Sequence, residues 1–121
     1  MHQRTILIAG GDTQGQALLA APAAAAGYAV AVANGADAPA LVSRTYPDAV
    51  VLDVTQLAPE AAVALVRAMR AETARPLLVL VAPHEGQTGP AALDAGADDF
   101  LRPPVAALEL QARLKALLRP R

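Results

Sequence analysis

The chain reads as an α/β domain: a parallel sheet with helices on both faces. Three observations predict this. A strand-then-helix pattern repeats five times along the sequence. Several strand segments are short unbroken apolar runs, as expected of strands covered on both sides. No repeat ends in a hairpin signal, so each strand is joined to the next by a right-handed crossover.

Taken in order, Ile6-Leu7-Ile8-Ala9 is the first buried strand, and Gly10-Gly11-Asp12-Thr13 is a turn. Asp12 or Thr13 can cap the next helix, since a side-chain oxygen there accepts an unpaired N–H of the first turn. That helix runs to about Ala26 and stops at Gly27. Pro22 lies inside it and predicts a kink or an interruption, because proline lacks the N–H the ladder needs. Tyr28–Val32 is strand two, ended by Asn34-Gly35. Asp37 is placed to cap helix two, with Pro39 in its first turn, and this helix carries Leu41 and Val42 and ends near Tyr46.

Strand three lies in Pro47–Val54, and Asp53 is at its end. In an open α/β sheet, chemistry sits in the crevice outside the carboxyl ends of the strands, so Asp53 is the leading functional candidate. Pro59 opens helix three, with an apolar face of Val63, Val66 and Met69 and with Leu65 beside it. Leu77–Val81 is strand four. Pro83–Gly89 is rich in helix breakers and reads as a loop, leaving only Pro90–Ala95 for helix four before Gly96. Phe100-Leu101 is strand five, and Val105–Leu118 is helix five, striped by Leu110, Leu114, Leu117 and Leu118.

The bulk properties exclude several function classes. At 121 residues and 55% hydrophobic content, the chain has enough apolar mass for one cored domain. A net charge of −1 gives no attraction to nucleic acid or an anionic membrane. With no cysteine there are no disulfides and no thiolate zinc site, in keeping with a cytoplasmic location. The apolar stretch after Met1 is too short for a signal peptide, and the Ala20–Ala26 run is broken by Pro22 and Gly27. Residues 1–121 are read as one domain, with Arg119-Pro120-Arg121 as the start of a linker. His2 and His84 are scattered and make no metal site. The Gly10-Gly11…Gly15 turn has the wrong spacing for a dinucleotide fingerprint.

Three segments carry a family resemblance: Ile6–Asp12; Pro47–Val54 with its terminal aspartate; and Ala95-Gly96-Ala97-Asp98-Asp99-Phe100-Leu101, followed by a proline pair. With these the chain resembles the receiver domain of two-component response regulators. Glu109-Leu110 and Ala112–Leu118 make it most similar to receivers that precede a winged-helix DNA-binding domain. The resemblance implies a flavodoxin-like (βα)5 three-layer sandwich with a five-stranded parallel sheet in the order 2-1-3-4-5. It also implies a set of working groups. An aspartate accepts a phosphoryl group, an acidic pair and a backbone carbonyl help hold Mg²⁺, and a Ser or Thr and a Lys complete the site. Most of the acceleration in phosphoryl transfer is such charge neutralisation.

Carried over residue by residue, little of that set survives. Asp53 matches the acceptor, and Thr55 can offer its carbonyl. The acidic pair falls on Gly10 and Gly11, the hydroxyl on Val81 and the lysine on Pro103. Asp12 comes one residue late and is expected to cap helix one or point away. Arg102 adjoins the lost lysine but points to the other face of the strand. Removing one partner from a buried charge pair commonly costs roughly 3–5 kcal/mol, and here several are gone. The expectation is a degenerate receiver, not an enzyme and holding no metal, that works as a phosphorylation-independent signalling or dimerisation module. Two other readings stay open. One is a functional receiver phosphorylated on Asp53 by a sensor histidine kinase with Mg²⁺, and the other is a small-ligand site at the emptied pocket.

The remaining family positions are Phe100, the switch aromatic, expected here to be a packed ring; Pro104, expected to follow a cis bond from Pro103; and Asp98, Asp99 and Arg113. These last three are either solvated charges or contacts of a homodimer. The dimer or partner face would be the one made by helix four, strand five and helix five. Gly86, Gly89 and Pro90 are expected to damage helix four.

Overall fold

The computed structural model describes residues 3–120; His2 and Arg121 lie outside them. Strands and helices alternate throughout: β1 (Thr5–Gly10), α1 (Thr13–Ala25), β2 (Ala29–Ala33), α2 (Ala38–Thr45), β3 (Ala49–Asp53), α3 (Pro59–Glu72), β4 (Leu77–Leu80), α4 (Thr88–Ala95), β5 (Asp99–Leu101) and α5 (Ala107–Leu117). The five strands form one sheet in the order β2-β1-β3-β4-β5, with every pair parallel.

Strand alternation divides the core into two layers. Ile6, Ile8, Val51 and Leu78 pack with Leu19, Ala23, Leu110 and Leu114 under α1 and α5. Leu7, Val50, Leu52 and Val79 pack with Val42, Val66, Met69 and Ala92 under α2, α3 and α4. The register sets Gly10 beside Asp53 and Asp53 beside Leu80. The carboxyl ends of the three central strands therefore share one rim.

Several local expectations need correction. α1 continues through Pro22, which is buried, so proline does not interrupt the helix. The Pro22 carbonyl accepts from Ala26 N at 3.1 Å and from Gln111 Nε2 at 2.8 Å, which ties α1 to α5. β2 is shifted by one residue and α5 begins at Ala107, after the extended Ala106. Asp37 makes no side-chain cap on α2. It pairs instead with Asn34, whose Nδ2 donates to Asp37 Oδ2 at 2.7 Å and whose Oδ1 accepts from Asp37 N at 2.9 Å.

The largest correction concerns helix four. α4 is intact from Thr88, two residues before the expected start. Gly89 and Pro90 fall in its first turn, where N–H groups have no intrahelical partner and a proline removes nothing. Gly89 does not weaken the helix here; it admits a ring. A Cβ on Gly89 would collide with Phe100 Cε1 and stand 2.6 Å from Cζ. The helix can lie this close to β5 only because position 89 has no side chain.

Arg70 of α3 fastens the start of the distal half of the sheet. Its Nε donates to Gly96 O at 2.9 Å, its Nη1 to Thr73 O and Arg75 O at 3.1 Å, and its Nη2 to Asp98 Oδ2 at 2.9 Å. The same Asp98 oxygen accepts from Leu77 N at 2.8 Å. Asp98, considered above as a solvated charge or dimer contact, is thus committed to bonds within the chain.

Glycine to alanine in an exposed helix usually stabilises by about 0.5–1 kcal/mol. Gly89→Ala is expected to do the reverse, destabilising by about 1–3 kcal/mol through overpacking against Phe100. Urea denaturation of the variant checks the sign.

Candidate functional site

The site is built from the ends of β1 and β3. Asp53 is half-buried, held at the rim by parallel pairing on both sides. Its carboxylate folds back on the following turn: Oδ1 accepts from Thr55 N at 2.9 Å and from Thr55 Oγ1 at 2.6 Å. This is the local side-chain turn that aspartate forms readily with the backbone two residues on. Thr55, considered for its carbonyl, therefore also acts through its hydroxyl and amide.

On the other side stands the β1–α1 turn. Gly10 has φ 86° and Gly11 φ 70°, a region that costs an L side chain about 1–2 kcal/mol. A Cβ on Gly10 would collide with the backbone oxygen of Asp53, and one on Gly11 would lie 2.5 Å from Asp53 Oδ2. The two glycines are folded directly against the aspartate. Gln16 holds this turn from α1, its Nε2 donating to Gly10 O at 3.0 Å and to Ala33 O at 3.3 Å. Asp12 caps α1, its Oδ1 accepting from Gly15 N at 2.7 Å.

These residues do not fit Mg²⁺. That ion takes near-octahedral oxygen donors, usually carboxylates and water. Asp53 is the one carboxylate at this rim among the positions carried over from the family, and one of its oxygens is already engaged by Thr55. No group of three or more His, Cys, Asp or Glu able to hold a metal occurs among the described residues. A surface cavity of about 450 Å³ does exist, but it is lined by Arg4, Asp48, Arg75 and Arg119, which flank the opposite ends of the strands.

The other predicted positions are separated from Asp53 by role. Val81 is fully buried and adds only apolar bulk. The Pro103–Pro104 bond is cis. Phe100 is half-buried against α4, and the Arg102 guanidinium lies 5.0 Å from its ring centroid. Arg102 thus engages Phe100. Asp99 Oδ2 accepts from Arg113 Nη1 at 3.1 Å, and Glu109 Oε2 lies 3.8 Å from Arg113 Nη2. Such exposed pairs contribute about 0–1 kcal/mol. His84 is exposed in the loop before α4.

Two residues were missed in the sequence. Gln16 follows the Asp12 cap by one helical turn, and an inward-facing amide there is the signal that could have found it. Arg70 has no comparable signal, because three of its four acceptors are backbone carbonyls, which no residue type marks, and Gly96 and Asp98 are remote in sequence.

Comparison with known proteins places the fold. The chain is 43% identical over 94 residues to response regulator MprA of Mycobacterium leprae, covering 77% of this chain and 41% of that protein. It is 42% identical over 97 residues to the transcriptional regulatory protein PrrA of Mycobacterium tuberculosis, covering 78% and 41%. The crystal structure of a two-component response regulator from Clostridium difficile superimposes with a TM-score of 0.85 at 28% identity, covering 97% of each chain. No family model matches the chain. It belongs to the receiver domains of response regulators, with the flavodoxin-like order 2-1-3-4-5. It spans about 41% of the length of the curated relatives it matches.

Thr55→Ala removes the 2.6 Å hydroxyl bond to Asp53 but leaves the amide bond. The expected loss is about 1 kcal/mol, measured by chemical denaturation at neutral pH.

Proposed function

We propose that this chain is a phosphorylation-independent receiver: a non-enzymatic protein-interaction module of a cytoplasmic bacterial response regulator. Partner binding or self-association sets its output. The observation that carries this reading is the contact of Gly10 and Gly11 with Asp53. Where the family has carboxylates to gather a metal and a lysine to meet the phosphoryl group, this chain has two glycines and Pro103. A phosphorylated Asp53 would place about two negative charges in the rim, with Pro103 standing where the family has the lysine that offsets them.

The interaction face favoured here is α4–β5–α5. Leu93 on α4 is 41% exposed and Leu108 on α5 is 79% exposed, and Arg113 and Asp99 add paired charges there. Intact α4 supports this use of the face. A second copy of the chain is the proposed partner. The relatives MprA and PrrA, a response regulator and a transcriptional regulatory protein, support a role in transcription through an output domain. No helix among the described residues is long and apolar enough to cross a membrane, in keeping with a protein that works away from one.

Incubation with acetyl phosphate or beryllofluoride plus Mg²⁺ tests the reading. Intact-mass analysis is expected to find no stoichiometric adduct, and Asp53→Asn is expected to leave regulation by the full-length protein unchanged. An Asp53-dependent adduct would overturn the reading and favour a phosphorelay receiver.

A further inference from the structure

We infer that the metal position beside Asp53 is closed by main chain and not merely short of ligands, so that reinstating two aspartates at positions 10 and 11 does not rebuild a Mg²⁺ site. The inference rests on the phosphorylation-independent reading and goes further, because it locates the loss in the backbone of the β1–α1 turn.

The two explanations differ physically. If the turn kept an ordinary backbone and lacked only side chains, restored carboxylates would project into the rim and gather the ion with Asp53. Here both glycines have positive φ, 86° and 70°. At that geometry the Cβ of residue 10 is directed into the Asp53 carbonyl, and the Cβ of residue 11 lies 2.5 Å from Asp53 Oδ2. Side chains built there would meet the acceptor where they should stand beside it. Moving the turn aside would break the bonds from Gln16 to Gly10 O and Ala33 O, which join the ends of β1 and β2. Asp53 is also tethered away by Thr55, which occupies Oδ1 twice. The turn, the amide of Gln16 and the Thr55 tether thus form one closed unit.

The collisions at the two positions differ in kind, which makes the unit testable without any metal. At position 11 the obstacle is the Asp53 side chain; at position 10 it is the Asp53 main chain. Gly11→Ala is expected to lower the thermal midpoint, and to lower it much less in an Asp53→Ala background. Gly10→Ala is expected to lower it equally in both backgrounds. Calorimetric Mg²⁺ titration of the Gly10→Asp/Gly11→Asp protein is expected to match wild type, with no new site.

A folded double-aspartate protein that gains Mg²⁺ affinity while wild type has none overturns this inference alone. Mg²⁺-dependent loading of wild-type Asp53 would overturn both this inference and the reading it rests on. If the double variant does not fold, the alanine cycle decides: equal losses for Gly11→Ala with and without the Asp53 side chain, or no loss at all, overturn the closed turn.

Discussion

The pairing of Gly10 with Asp53 across β1 and β3 is the constraint on which the site depends. Parallel register fixes which residues meet at the carboxyl rim of the sheet, and the buried β-branched run of β3 leaves no freedom to slip, since a one-residue shift would turn the core outward. Once the two positions are fixed side by side, the conformation of the turn after β1 decides what Asp53 can touch. A turn made of two glycines can close over the carboxylate, and Gln16 and Thr55 hold the closed arrangement from either side.

The distal half of the domain is organised separately from that rim. Phe100 is set between Gly89 and the Arg102 guanidinium, while Val81 presents only apolar surface. The family resemblance implies a hydroxyl and an aromatic at these positions that move together. Valine cannot take part in such a hydrogen bond, so the ring is placed by packing against α4 and by the Arg102 guanidinium. The α4–β5–α5 face therefore lies over a close-packed interior, with Asp98, Asp99 and Arg113 bonded within the chain.

The fold was legible because its signals are redundant. Continuous apolar strands, a helix after each, and glycines at helix ends all point to one topology. That Gly10, Gly11, Val81 and Pro103 stand where the resemblance puts acids, a hydroxyl and a lysine is also read directly, because identity at a given spacing is a sequence property. The φ angles of Gly10 and Gly11 were not. A glycine states only that positive φ is permitted, never that it is adopted. Helix four was misjudged for a related reason: Gly89 and Pro90 look like breakers in isolation, whereas their effect depends on falling in the first turn and facing Phe100. Asp37 and Asp98 likewise looked available for capping or docking, but Asn34 and Arg70 reach them first.

Arg70 illustrates how one side chain can bind some positions tightly and leave others open. Three of its four acceptors are peptide carbonyls, at Gly96, Thr73 and Arg75. Thr73 and Arg75 supply only carbonyls, as any amino acid would, but Gly96 is fixed: its φ is 123° and a Cβ there would stand 2.6 Å from Arg70 Cγ, so the joint asks for a planar, multiply donating head and a bare residue beside it. A lysine there would keep the charge and forfeit the fork. One guanidinium thus spares positions 73 and 75 any side-chain requirement while tying the start of β5 to a glycine at 96 and a carboxylate at 98.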